Sequence, residues 1–213
     1  MHRKSRASRR LLTTHTEKSA FRLPPAVSRP ELLEGGNDQR LRQLVYDLFV
    51  LSAHVDTIRR HVSGLVGLTP PQYSIVIVVA QSQEKGGASV GAVAAHLHVS
   101  SAFVATEASK LVRKGFLLKR PNPIDRRGVL LTLSREAKET IRSLAPHLRS
   151  INDRFFASLD RDQFLLCSET VTKLVEGAVS AVEWLPVARR TLDPVYRPTS
   201  ETRPQHRRAM RRD

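Results

Sequence analysis

Apolar residues recur at a 3,4 spacing along three stretches of this chain. Leu41, Leu44, Leu48, Leu51, Val55, Ile58 and Val62 form the first stripe, the seam of a coiled-coil-like helix expected from about Asp38 to Val62. Gly64 and Gly67 are positioned to end it. Ile141, Leu144, Leu148, Ile151 and Phe155 repeat the spacing behind Ser134, a candidate N-cap, and Pro146 inside that stretch predicts a kink. Val171, Val175, Ala178, Val182 and Leu185 mark a last helix, opened by Asp160 with Gln163 three residues on. Such stripes serve either an intrachain core or an interface between subunits.

Between the stripes the elements are shorter. Thr69-Pro70-Pro71-Gln72 has the form of a capping box with proline at the first helical position. The β-branched run Ile75 to Val79 favours a strand by propensity, but the cap argues for a buried helix. Gly86-Gly87 ends it. Val90, Val93, Ala94 and Leu97 give a short amphipathic helix, and His98-Val99-Ser100 is a tight turn into a second, Ser101 to Lys114, closed by Gly115. Two short helices joined by a three-residue turn predict a helix-turn-helix. Phe116 to Arg120, a turn holding Pro121, Pro123 and Asp125, and Gly128 to Leu133 then predict a β-hairpin.

Charge adds a partner to this outline. Of 213 residues, 35 are Lys or Arg and 20 Asp or Glu, a formal charge of +15. Residues 1–37 hold eight basic against three acidic side chains, and so do residues 186–213. The two ends therefore carry most of the excess, which favours a polyanion through counterion release. Neither end has the sustained apolar face that a membrane surface requires, so nucleic acid is the expected polyanion. Both ends are polar and proline-containing and read as disordered tails; the Arg- and Ser-rich start also has the character of an organellar transit peptide. Nothing in the sequence approaches the length of a bilayer span, and with one cysteine, Cys167, no intrachain disulfide can form. A cytoplasmic setting is the expectation, with Cys167 as a buried structural thiol.

The helix expected from Ser101 has two unlike faces. Val104, Glu107, Ala108 and Leu111 fall in one sector, suited to packing on the preceding helices. Ala102, Thr106, Ser109 and Arg113, flanked by Ala105 and Lys110, fall in the other. Small side chains let a helix sit deep in a major groove, and hydroxyls with an Arg reach base edges and phosphates. Together with Ser101 these are the candidate DNA contacts. Arg126 and Arg127 at the hairpin turn suit a minor groove or adjacent phosphates, with Asp125 orienting one of them. A solvated amphipathic helix and a surface ion pair are the alternatives for each part taken alone. A helix-turn-helix followed at once by a basic hairpin is much more specific than either part.

Thr69-Pro70-Pro71-Gln72-Tyr73, Leu111 to Arg120 (LVRKGFLLKR), and Asp125-Arg126-Arg127 followed by Leu131-Thr132-Leu133 together resemble the MarR family of bacterial regulators. The similarity spans Thr69 to about Glu139. It implies a mainly α fold with a small β-hairpin wing, a winged helix-turn-helix joined to a dimerisation domain of terminal helices. It implies this division: a basic arm at 1–37, a dimerisation helix at 38–66, the DNA-binding domain at 67–133, dimerisation helices at 134–185 and a basic tail at 186–213. It further implies a homodimer on a pseudo-palindromic operator in double-stranded DNA. Phe103, Thr106 and Glu107 depart from the family pattern, where small hydroxyl, basic and apolar residues respectively are common.

Relatives of that family often take small, frequently aromatic acids in a cleft between their two parts. Here His54, Arg59, His61 and Tyr73 would border such a cleft, with Arg59 able to pair with a carboxylate. A solvated Arg is the alternative. Eight histidines invite a metal reading, but His54 with His61, and His96 with His98, lack the Cys, Asp or Glu partners that would complete a ligand set. No nucleophile elbow or Gly-rich phosphate loop is present, so neither an enzyme nor a cofactor is expected. The expected function is a ligand-responsive repressor. A nonspecific basic architectural protein is the rival, and an RNA-binding module is disfavoured for want of an aromatic-bearing sheet.

Overall fold

The computed structural model describes residues 21, 23–123 and 128–191, and it contains six α-helices and three short strands. The chain forms two compact units, one up to Lys138 and one from Glu139 onward.

In the first unit α1 spans Gln39–Leu65 and α2 spans Pro70–Gln81. α1 runs one turn further than its glycines suggested: Gly64 lies within it, and the chain turns by 79° into the next helix through Gly67, whose φ of +68° suits glycine. α2 starts on the expected capping box, the Thr69 hydroxyl accepting from the Gln72 N–H and the Gln72 side chain accepting from the Thr69 N–H. That start, with Pro at the first helical position, overrides the strand propensity of Ile75–Val79. Ile75, Val76, Val78 and Val79 are all buried and form the centre of the core. A 3-10 turn at Gln83–Lys85 carries the chain to Gly86 and Gly87.

β1 (Ala88–Ser89), α3 (Val90–Leu97), α4 (Ser101–Arg113), β2 (Leu117–Pro121) and β3 (Val129–Leu133) complete the unit. The strands form one antiparallel sheet in the order β1-β3-β2. The expected hairpin is β2 with β3, Leu117 opposite Leu133 and Pro121 opposite Val129. β1 is an addition: Ala88 and Ser89 are extended only because they pair with Leu131 and Leu130. Two residues carry no periodicity, so local sequence cannot announce such a strand. Val93, Val104, Leu111, Leu117 and Leu131 are completely or almost completely buried and knit helices to sheet.

The segment ahead of α1, expected to be disordered through residue 37, is instead ordered from Leu23. Asp38 is the reason. Its carboxylate accepts from the Ala26 N–H at 2.6 Å and from Arg42 Nε at 3.0 Å, and Arg42 also donates to the Pro24 carbonyl at 2.6 Å. A 3-10 turn at Pro30–Leu32 and a bridge between Glu34 and Asn37 fold the intervening chain. Charged groups here satisfy backbone that a proline-containing segment cannot satisfy by helix formation.

α5 spans Arg135–Phe155 and crosses into the second unit; its N-terminus is held by Ser134, whose hydroxyl accepts from the Ala137 N–H at 3.0 Å. α6 spans Arg161–Thr191, 31 residues opened by the reciprocal Asp160–Gln163 box. It continues past Pro186, where the sequence suggested that regular structure would stop. The ring removes the donor to Val182, but both residues lie on the exposed surface, where water can serve that carbonyl. Cys167 is exposed rather than buried, because α6 leaves most of its length, including Phe164, Leu165 and Leu166, uncovered in the single chain.

Candidate nucleic-acid interface

The helix-turn-helix turns on one left-handed residue. His98 caps α3 at φ 52° and ψ 43°, and its neighbour Val99 donates to the Ala94 carbonyl, closing the helix. Ser100 then starts α4, its hydroxyl accepting from the Phe103 N–H at 3.2 Å. At the other end Gly115 (φ +77°) turns the chain into β2.

α4 is strongly two-faced. Val104, Glu107, Ala108 and Leu111 are buried against the rest of the unit. Ser101, Ala102, Ala105, Thr106, Lys110 and Arg113 are exposed, and Ser109 is half-buried. The structure therefore places the candidate contacts of this helix along one outward surface. The Thr106 and Ser109 hydroxyls donate to the Ala102 and Ala105 carbonyls at 3.0 and 2.9 Å, which leaves their oxygens able to accept. Phe103 adds an exposed ring to the same end.

Glu107 is buried in the sector the sequence assigned to packing, and its partners are what sequence reasoning missed. It is a charged residue in the packed sector, and its carboxylate accepts from Gln72 Nε2 at 2.9 Å and from Lys110 Nζ at 2.5 Å. The Lys110 ammonium, then Gln72, hold its carboxyl below the usual glutamate range. Lys110, a candidate DNA contact, is thus already engaged by a carboxylate. The long-range partner Gln72 has no signal in local periodicity.

Asp125, Arg126 and Arg127 lie outside the described residues; on either side of them β2 and β3 converge as a two-stranded ribbon. The four residues assigned to a ligand cleft lie on α1 and α2. Arg59 donates to the Ser74 hydroxyl at 3.0 Å, tying the C-terminal half of α1 to the first turns of α2. Tyr73, the residue before Ser74, is half-buried, and burial pushes the pKa of its hydroxyl upward. His54 and His61 are exposed on α1. Among the described residues no three metal-ligating side chains gather, and no single helix is long and apolar enough to cross a membrane.

A helix-turn-helix whose second helix turns an outward face of small and polar residues, followed directly by a β-ribbon, defines a winged-helix DNA-binding domain. Residues 68–129 match the model of the MarR family, whose members are transcription regulators rather than enzymes. Similar solved structures include a MarR family transcriptional regulator from Silicibacter pomeroyi (17% identity, 64% of this chain and 90% of that one, TM-score 0.56). CouR from Rhodococcus jostii bound to p-coumaroyl-CoA is similar at 17% identity over 62% of this chain and 90% of that one, TM-score 0.56. BpsR of Bordetella bronchiseptica, whose DNA binding is regulated by 6-hydroxynicotinic acid, aligns at 19% identity over 61% and 91%, TM-score 0.51. Comparison with curated proteins gives no match.

Proposed function

We propose that this protein is a sequence-specific transcriptional repressor that binds a pseudo-palindromic operator as a homodimer and is released by a small acid. The outward face of α4 carries the reading: Ser101, Ala102, Ala105, Thr106, Ser109 and Arg113 share one surface, next to a ribbon between whose strands the sequence includes Arg126 and Arg127. Such a face reads base edges in the major groove while the ribbon meets phosphates or the minor groove.

The second copy is called for by uncovered apolar surface. Leu44, Leu48 and Leu51 of the first stripe are exposed in the single chain, as are Val171, Val175, Val182 and Leu185 of the last. Apolar surface on that scale is unfavourable in water and marks an interface. A twofold axis would present two copies of α4 to half-sites about one DNA turn apart, ~34–36 Å. The effector is proposed as a small aromatic acid received near Arg59 and Tyr73, in keeping with the 6-hydroxynicotinic acid that regulates DNA binding by BpsR. It would act by favouring a dimer whose two α4 helices are wrongly spaced for both half-sites.

Selection of duplexes from a randomised pool by the full chain, followed by footprinting at moderate salt, tests this. Recovery and protection of one short palindrome is the expected result. Uniform coverage with no recovered consensus refutes the reading and favours nonspecific binding by the basic ends.

A further inference from the structure

Glu107 occupies the packed sector of α4 between Val104 and Leu111, with its side chain only 11% exposed. A carboxylate is tolerated there only because each oxygen has a donor. The network continues beyond it. Gln72, whose Nε2 binds Glu107, uses its Oε1 to accept from Lys114 Nζ at 3.2 Å, and Lys114 Nζ also donates to the Gly67 carbonyl at 2.9 Å. One polar chain therefore runs from Lys110 through Glu107, Gln72 and Lys114 to the turn between α1 and α2. Of the three cations between Lys110 and Lys114, two are held by this network, and Arg113 lies outside it.

We propose that Glu107 is a positioning residue that seats α4 on the start of α2 and withholds Lys110 from DNA phosphate. The proposal rests on the DNA-binding reading above and specifies which charge of that helix does not contribute. Each phosphate neutralised by a free cation adds roughly 0.9 to the slope of log affinity against log salt. A lysine already balanced by a carboxylate presents no net charge to the phosphate and adds little. Arg113, two turns on from Thr106, then supplies the cationic contact of the outward face.

The test measures salt dependence of binding to the duplex recovered in the selection above, using the full chain. Lys110→Ala is expected to leave the wild-type slope unchanged. Glu107→Gln preserves shape and a partner for Gln72 while removing the charge; it is expected to steepen the slope by about one. Adding Lys110→Ala to Glu107→Gln should return it to the wild-type value. A purely structural role for Glu107 would move affinity or melting temperature without this slope pattern, and an unchanged slope in a folded Glu107→Gln overturns the proposal. So does a slope lowered by about one in Lys110→Ala alone, a surface change that decides the matter even if Glu107→Gln does not fold. Recovery of no duplex by the wild-type chain overturns the DNA-binding reading itself, and this assignment with it.

Discussion

Gly87 is pressed against the backbone of Leu131: a Cβ at Gly87 would stand 2.5 Å from the Leu131 carbonyl oxygen and 2.8 Å from Thr132 Cγ2. This close approach lets β1 join the edge of β3 and closes the sheet against the helix-turn-helix. The neighbouring Gly86 also has a positive φ, +83° against +117° at Gly87, but nothing lies within 4 Å of its own would-be Cβ. Gly86→Ala should therefore cost only the left-handed penalty, about 1 kcal/mol. Gly87→Ala adds a collision with backbone, which cannot swing away, and should cost about 2–4 kcal/mol. Urea denaturation of the two variants checks the difference; equal losses would show that φ alone matters.

Thr132 offers the opposite sign. Its hydroxyl is buried in β3 without a hydrogen-bond partner. Replacing it with valine keeps the shape and removes the unsatisfied oxygen, so Thr132→Val should raise stability by about 1 kcal/mol. A lower melting temperature in that variant would mean that the hydroxyl is satisfied in solution.

The segment ahead of α1 should detach in acid. Arg42 beside Asp38, with the Ala26 N–H, holds the Asp38 carboxyl below the usual aspartate range. A depressed folded-state pKa contributes stability above the ordinary aspartate value, and that contribution is lost as pH falls through the folded value. Cleavage by an acid-stable protease within residues 23–37 should therefore rise at pH below about 4. Asp38→Asn should produce the same sensitivity, to a neutral protease, at pH 7. Equal protection in Asp38→Asn would show that the carboxylate does not hold the segment.

A charge placed on the exposed stripe of α6 should separate subunits without unfolding the chain. Val175 is 42% exposed in the single copy, so Val175→Asp should alter helicity little. In a dimer it would bury an unpaired carboxylate, weakening association by at least about 100-fold. Sedimentation of wild type and variant decides; a dimer of unchanged affinity would place the interface elsewhere.

Arg113→Ala should weaken binding to the recovered duplex by about 1–3 kcal/mol, while leaving thermal stability near wild type. Titration by fluorescence anisotropy is the measurement. Unchanged affinity would remove Arg113 from the interface.

Much of this architecture was legible because it is written locally. Thr69 with Gln72, Ser134 with Ala137, and Asp160 with Gln163 lie within three residues of each other, and the capping chemistry of each pair marks a helix start. The two faces of α4 follow from 3.6-residue periodicity, so the separation of Ala102, Thr106 and Arg113 from Val104, Ala108 and Leu111 could be read directly. What escaped depends on partners distant in sequence. Ala88 and Ser89 are a strand only because β3 lies beside them, and Glu107 is tolerable only because Gln72, 35 residues earlier, meets it. The ordered approach to α1 likewise required Asp38 to reach back to Ala26, an interaction that composition could not disclose. Pro186 misled because one missing hydrogen bond on an exposed helix is a smaller defect than composition alone suggests.

The turn at Gly67 also has a mechanical meaning. α1 has 27 residues and so extends roughly 40 Å from it at 1.5 Å per residue. A swing of only about 5° at that fulcrum would carry the far end of α1 through ~3 Å, the scale on which packed helices shift in switching proteins. Because Lys114, the residue that caps α4, grips the Gly67 carbonyl, the end of that helix is fastened at the pivot itself, where leverage is greatest and travel least.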